Sequence, residues 1–103
     1  MQYSRGMVVG ILRLQVEFPG NHSLKGKRGA LRPLISTLSR EFGVSVAEVA
    51  DQDAWQRATV GVCVVSGERR QADRVLQAVL GRAAAWSGEA VLGRTSMELI
   101  DVG

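Results

Sequence analysis

The chain has 103 residues, 46% of them apolar and 22% charged, with a formal net charge of +3. This length and composition suit one folded domain with a single core and argue against disorder. The single cysteine excludes an internal disulfide, and no apolar run in the sequence is long enough to cross a bilayer. We therefore expect a cytoplasmic protein, whose mild basicity is compatible with RNA but does not require it.

The first half of the chain predicts a strand and a long helix. Residues 1–6 are polar and predict a loosely ordered extension, so the single domain is assigned to 7–103. Residues 7–18 alternate apolar and polar side chains, which is typical of a strand with one buried face. Ser23 is a suitable helix N-cap and Gly43 a suitable helix end. The apolar face predicted for this helix contains Leu24, Leu31, Ile35, Leu38 and Phe42, and Arg28 shares the same stripe.

Pro33 lies inside this helical pattern and leaves two alternatives open. Proline removes a backbone donor and crowds the preceding turn, but here it lies away from the apolar stripe. A helix that bends at Pro33 is the first expectation. A shorter helix with Pro33 at its first position is the second.

The second half of the chain predicts strand, strand, helix, strand. Segments 44–49 and 58–65 are the two strands, joined by polar residues 50–56, and the second strand places Cys63 among valines, where we expect it to be buried. A turn at Ser66-Gly67 leads to a helix that we expect to end at Gly88, and the last strand spans 91–102. The apolar stripe of that helix contains Ala72, Val75, Leu76, Val79, Ala83 and Trp86.

The resulting order, β-α-β-β-α-β, predicts an α+β protein of the ferredoxin-like type. Short connections and right-handed crossovers favour a four-stranded antiparallel sheet with both helices on one face. In this topology the connections at 19–23, 50–56 and 87–93 lie at the same end of the sheet. We expect a binding site at this loop-rich end.

Basic side chains gather at the predicted start of the first helix, where the helix dipole disfavours cations. Free backbone donors surrounded by cations suit a phosphate or a carboxylate. Alternatively, Glu17, Asp51 or Asp53 neutralises the cations across the loops. The predicted anion- or nucleic-acid-binding residues are His22, Ser23, Lys25, Lys27, Arg28, Arg32 and Arg57.

Trp55 and Gln56 are the candidate stacking or interface residues. Trp55 in a polar hairpin could stack on a base, cover the open end of the core or anchor a subunit contact, and the last two are favoured. Asp51 and Asp53 are typical turn and capping residues rather than metal ligands. No catalytic residue, metal site or cofactor site is assigned.

Two stretches carry a family resemblance. Residues 19–28 (PGNHSLKGKR) and 44–59 (VSVAEVADQDAWQRAT) resemble the YlxP-like bacterial family, a small domain of unknown function. The resemblance implies a ferredoxin-like fold but no established activity and no catalytic residues. Genes of that family often lie near those for transcription and translation factors, which implies an RNA or ribosome context by association only.

Three functions remain open. The first is a non-catalytic module that binds RNA or the translation machinery through the basic loop end. RNA-recognition motifs stack bases on aromatic residues of inner strands, but segments 12–16 and 60–64 contain none, so binding would use the loops and the first helix. The second is a homodimeric protein-interaction domain. The third and least favoured is a small enzyme for an anionic substrate, using His22, Asp51, Asp53 and Arg57.

Overall fold

The computed structural model describes residues 6–103, and it contains four strands and two helices in the predicted order. Apart from Gly6, the proposed extension at 1–6 therefore lies outside the described residues. The elements are β1 (Met7–Glu17), α1 (Leu24–Phe42), β2 (Ser45–Ala50), β3 (Arg57–Ser66), α2 (Arg69–Ala84) and β4 (Val91–Val102).

The strands form one antiparallel sheet in the order β2-β3-β1-β4. This is the ferredoxin-like layout, and it confirms the predicted fold class. The central pair, β1 and β3, is in continuous register from Val8 opposite Ser66 to Glu17 opposite Arg57. Two edge strands complete the sheet, the six-residue β2 and the twelve-residue β4.

Alternation along the strands divides the sheet into a helix-covered face and an open face. On β1 the even-numbered residues from Val8 to Val16 are buried, and on β3 so are Ala58, Val60 and Val62. These side chains pack with the apolar stripes of both helices to form the core. The open face carries the odd-numbered residues of β1 and β3. Cys63 is one of these, so it is half-buried on the open face and not in the core as predicted.

Helix α1 begins and ends where the sequence predicted, but its buried stripe differs. Ser23 caps its start, Gly43 adopts the left-handed conformation at its end, and the helix continues through Pro33. The shorter helix beginning at Pro33 is therefore wrong. Pro33 and Gly29 are both exposed, so water can satisfy the Gly29 carbonyl that the proline leaves without a partner. The buried residues are Lys27, Leu31, Leu34 and Leu38, and Arg28 is exposed.

Helix α2 ends at Ala84, four residues before the predicted end at Gly88. The backbone N–H of Trp86 donates to the Ala83 carbonyl (3.2 Å). The Trp86 ring packs against the Arg82 guanidinium, whose central carbon is 5.1 Å from the ring centroid. Ala85 is the C-cap, with φ −92° and ψ 6°, so the chain leaves the helix before the glycine. Among residues 6–103, neither helix combines the length and the apolar character needed to cross a membrane.

Two glycine substitutions test the packing of the helix layer against the sheet. A Cβ at Gly10 would lie 2.9 Å from Leu76 Cδ1 and 3.0 Å from Val64 Cγ1. We expect Gly10→Ala to destabilise the fold by about 1–3 kcal/mol through overpacking, measured by urea unfolding. Gly29→Ala is the matched control, because a Cβ there meets nothing within 4 Å. It should stabilise α1 by roughly 1 kcal/mol, and equal effects of the two variants would contradict this packing.

Candidate functional site

The connections that follow β1 and β2 are hydrogen-bonded to each other at the loop-rich end, as the topology predicted. The Phe18 N–H donates to the Gln56 carbonyl (2.9 Å), and Asn21 Nδ2 donates to the Trp55 carbonyl (2.7 Å). Gln56 Nε2 in turn donates a hydrogen bond to the Asn21 carbonyl (3.1 Å). The third connection joins them, since Glu89 lines a hollow of about 260 Å³ with Phe18, Gly20 and Asn21.

Lys27 is the buried polar centre of this end. Its side chain reaches from α1 into the β2–β3 hairpin, and the residue is 0% exposed. Its Nζ donates to Glu48 Oε2 (2.9 Å) and to the carbonyls of Asp51 (2.9 Å), Gln52 (3.3 Å) and Arg57 (3.2 Å). The ion pair and the three carbonyls offset the cost of burying the ammonium.

Lys27 is therefore not available to a ligand, and we do not retain it among the candidate anion contacts. The sequence offered Glu17, Asp51 and Asp53 as neutralising acids, but the carboxylate that pairs with Lys27 belongs to Glu48. Glu48 lies on β2, on the side of the sheet that faces α1. Lys27 is thus part of the fold, whereas its neighbours Lys25 and Arg28 point to solvent.

Asp51 fixes the turn after β2. It has a left-handed backbone (φ 64°), which aspartate tolerates better than most residues. Its Oδ2 accepts from Thr59 Oγ1 (2.7 Å), and its Oδ1 lies 3.3 Å from Arg57 Nε. The Thr59 hydrogen bond is the main cause that lowers the pKa of Asp51, and Arg57 and Lys27 lower it further, while desolvation opposes them. Both carboxylate oxygens are therefore engaged within the hairpin.

The α1 cations, Lys25, Arg28 and Arg32, form an exposed group beside this end. None of them makes an ion pair with any residue in the range 6–103, and the first turn of α1 contains no acid. His22 in the preceding loop is also exposed. Ser23 acts as the helix cap, because its Oγ accepts from the Gly26 N–H (3.0 Å). The α1 cations lie on the helix layer, not on the open face.

A second group of predicted residues lines an open hollow on the other side of the sheet. This Trp55 cleft has a volume of about 540 Å³ and is lined by Gln15, Glu17, Ala54, Trp55, Gln56 and Arg57. Trp55 is 54% exposed, so it does not cover the core. The structure therefore brings Trp55, Gln56 and Arg57 together in this cleft, whereas the α1 cations lie on the helix layer and do not line it.

The polar surface continues along the open face towards β4. A smaller hollow of about 160 Å³ adjoins the cleft through the shared residue Gln15, and Arg13, Thr59, Arg94 and Ser96 also line it. Neither Arg13 nor Arg94 forms an ion pair within the described part of the chain. Sequence reasoning missed these arginines, although the alternation of Arg13, Gln15 and Glu17 along β1 was the signal that they share a face.

The cleft can hold a flat, polar ligand group. The Trp55 ring offers a surface for stacking, and the amides of Gln15 and Gln56 can both donate and accept hydrogen bonds. Glu17 lies directly opposite Arg57 in the β1–β3 register, and its carboxylate disfavours a phosphate at this point. Phosphate is better accommodated beyond Gln15, next to Arg13.

Comparison with known proteins confirms the family resemblance of the sequence. Residues 9–96 match the family model described as "Protein of unknown function (DUF503)". The chain belongs to this family. It is also similar to the "Uncharacterized protein YlxP" of Bacillus subtilis (strain 168), with 41% identity over 58 residues, or 56% of this chain and 63% of that protein. The match thus spans less than two thirds of the relative, and neither comparison names a ligand or a reaction.

The role of Lys27 is tested by removing its charge at nearly constant volume. We expect Lys27→Met to lower the free energy of unfolding by about 3–5 kcal/mol, because it leaves the Glu48 carboxylate and three carbonyls without their donor. Urea unfolding measures the effect. The matched control is the exposed Lys25→Met, which should change stability by no more than about 0.5 kcal/mol. Equal effects of the two variants would show that the buried ammonium stabilises nothing.

The Asp51 contacts predict a pH effect of defined sign. The pKa of Asp51 is lower in the folded protein than in the unfolded chain, so its carboxylate stabilises the fold above its unfolded pKa. This contribution is lost as the pH falls through the folded pKa, which lies below the ordinary aspartate value. Asp51→Asn, which tolerates the same backbone angle, should lose less stability than the natural protein between neutral and acid pH. Parallel pH profiles of unfolding would contradict the assignment.

Proposed function

We propose that this protein is a non-catalytic binding module that takes single-stranded RNA along the open face of its sheet, at the loop-rich end. The observation that carries the proposal is the exposed Trp55 ring at a polar cleft, next to Arg57 and near Arg13, which forms no ion pair within residues 6–103. An aromatic ring beside arginines and amides is the combination with which proteins hold unpaired bases and their phosphates.

The backbone around Trp55 supports a role in binding, because it is held in place before any ligand arrives. The Trp55 carbonyl accepts from Asn21, the Gln56 carbonyl accepts from Phe18, and the buried Lys27 ties the same hairpin to α1. A platform that is already ordered loses little conformational entropy on binding. The missing aromatics of the inner strands are thus replaced by one ring contributed by the hairpin.

Charge along the open face suggests how the strand would lie. Glu17 can accept hydrogen bonds from the exocyclic amine of a base stacked on Trp55. Phosphates would follow towards Arg13 and Arg94, where the described residues offer no competing carboxylate in the hollow. The α1 cations would add a non-specific attraction from the helix layer.

Binding is tested by fluorescence anisotropy with short, labelled single-stranded oligoribonucleotides of mixed sequence, over a range of salt concentrations. Trp55→Ala should weaken binding by about 1–3 kcal/mol, with the salt slope unchanged. Arg13→Ala should weaken binding and reduce the salt slope by about one. Arg70→Ala on α2 is the matched control for charge, and Trp86→Phe is the control for loss of a tryptophan. Neither should alter affinity.

A Lys25→Ala/Arg28→Ala variant separates the two sides of the molecule. If the salt dependence of RNA binding is weaker in this variant, the α1 cations contact the RNA. If it is unchanged, the RNA contacts only the open face. The proposal is overturned if the natural protein binds no RNA at low salt, or if Trp55→Ala, Arg13→Ala and Arg70→Ala all bind equally.

A further inference from the structure

Strand β4 presents a long edge that no other described element covers. It is the outermost strand on its side of the sheet, and its twelve residues are twice the length of the opposite edge, β2. Within residues 6–103, its neighbours are β1 in the sheet and α2 beneath it. Edge strands in natural proteins are commonly kept short or covered, because their outer N–H and C=O groups can pair with another chain.

The charges on the open face of β4 are self-complementary. Arg94 and Glu98 lie two residues to either side of Ser96, and both are exposed. If two copies of β4 pair antiparallel about a two-fold axis at Ser96, Arg94 of each copy lies opposite Glu98 of the other. Directly opposed charges of unlike sign stabilise a pair of strands, and like charges destabilise it.

The same register also matches the apolar residues, once the bulge in β4 is counted. Leu14 pairs with Thr95 and Val16 with Leu92, so Gly93 and Arg94 together occupy the place of one residue. Beyond the bulge, pairing about Ser96 therefore places Leu92 opposite Leu99 on the helix side of the sheet. On the open face it places Val91 opposite Ile100. Val91 and Ile100 are 54% and 38% exposed in the single chain, so each would gain an apolar partner.

Neighbouring two-fold registers are less favourable. Residues paired across the axis must point to the same face of the sheet, so the axis can pass only through a residue position, and moving it by one residue shifts the pairing register by two. An axis at Glu98 opposes two carboxylates, and an axis at Arg94 opposes two guanidinium groups. An axis at Met97 places Arg94 opposite Ile100 and leaves both charges without a partner. Only the axis at Ser96 pairs both charges with opposite charges.

We propose that this protein forms a homodimer by antiparallel pairing of β4 with β4 of a second copy, centred on Ser96. The dimer contains one continuous eight-stranded sheet with a self-complementary interface. Its recognition elements are the outer backbone groups of β4 and two symmetric Arg94–Glu98 contacts. Trp55 has no part in this interface, because it lies in the β2–β3 hairpin, and β2 and β4 are at opposite edges of the sheet.

Charge reversal gives a test that includes its own control for folding. Sedimentation velocity of the natural protein, from micromolar to sub-millimolar concentration, should show a dimer. Arg94→Glu alone and Glu98→Arg alone should each weaken the dimer more than about tenfold, because each opposes like charges twice. Mixing these two variants in equal amounts should restore a dimer, since glutamates at 94 and 98 then face arginines at 98 and 94. Recovery on mixing shows that both variants are folded.

Control variants and alternative outcomes separate this dimer from others. Arg70→Glu on α2 and Trp55→Ala should dimerise like the natural protein. A natural protein that stays monomeric throughout, or single variants that dimerise as well as it does, would overturn the proposal. Failure of the mixed variants to associate would also overturn it. RNA binding by Trp55 and Arg13 is measured separately, so a failure of either proposal is distinguishable from a failure of the other.

Discussion

A single buried ammonium determines how the loop-rich end is built. Lys27 joins α1 to the β2–β3 hairpin through Glu48 and three main-chain carbonyls. A buried cation is costly unless it is fully paired, so these acceptors must converge and the hairpin has little freedom to move away. The left-handed Asp51 and the exposed Trp55 are held in place by the same contacts, because both lie in the hairpin that Lys27 binds. Trp55 is thus exposed to solvent although the turn that carries it is held in place.

The fold follows from patterns that are local in the sequence. Strict alternation on β1 and the valine-rich β3 define a two-sided sheet, and short connections leave one reasonable topology. The error in α1 has a physical reason. Lys27, Leu31, Leu34 and Leu38 have helical spacing, so the buried stripe was visible, but lysine is almost never fully buried without a partner. That partner, Glu48, lies 21 residues away, and periodicity does not reveal such a contact.

The sequence predicted that the connections after β1 and β2 and before β4 lie at one end of the sheet, and the structure places them there, but the sequence did not predict all the residues that line the hollows at this end. Chain direction alone brings the three connections together, and this required no side-chain detail. Which residues form a hollow depends on the orientation of the hairpin and on the bulge at Gly93 and Arg94. Both arise from contacts between segments distant in sequence. The alternation of Arg13, Gln15 and Glu17 shows that they share a face, but any solvated strand face has this spacing, so the pattern does not show that they line a hollow.

The two proposed interactions meet at Arg94. A two-fold axis perpendicular to the sheet leaves both open faces on the same side, so the two Trp55 clefts of a dimer face the same way. In the proposed dimer, Arg94 would pair with Glu98 of the second copy and would contribute less positive charge to the hollow that it shares with Arg13. Dimerisation and RNA binding then influence each other through this one side chain. Coupling between two binding events is reciprocal. RNA whose phosphate contacts Arg94 would therefore weaken dimerisation by the same factor by which dimerisation weakens the binding of that RNA.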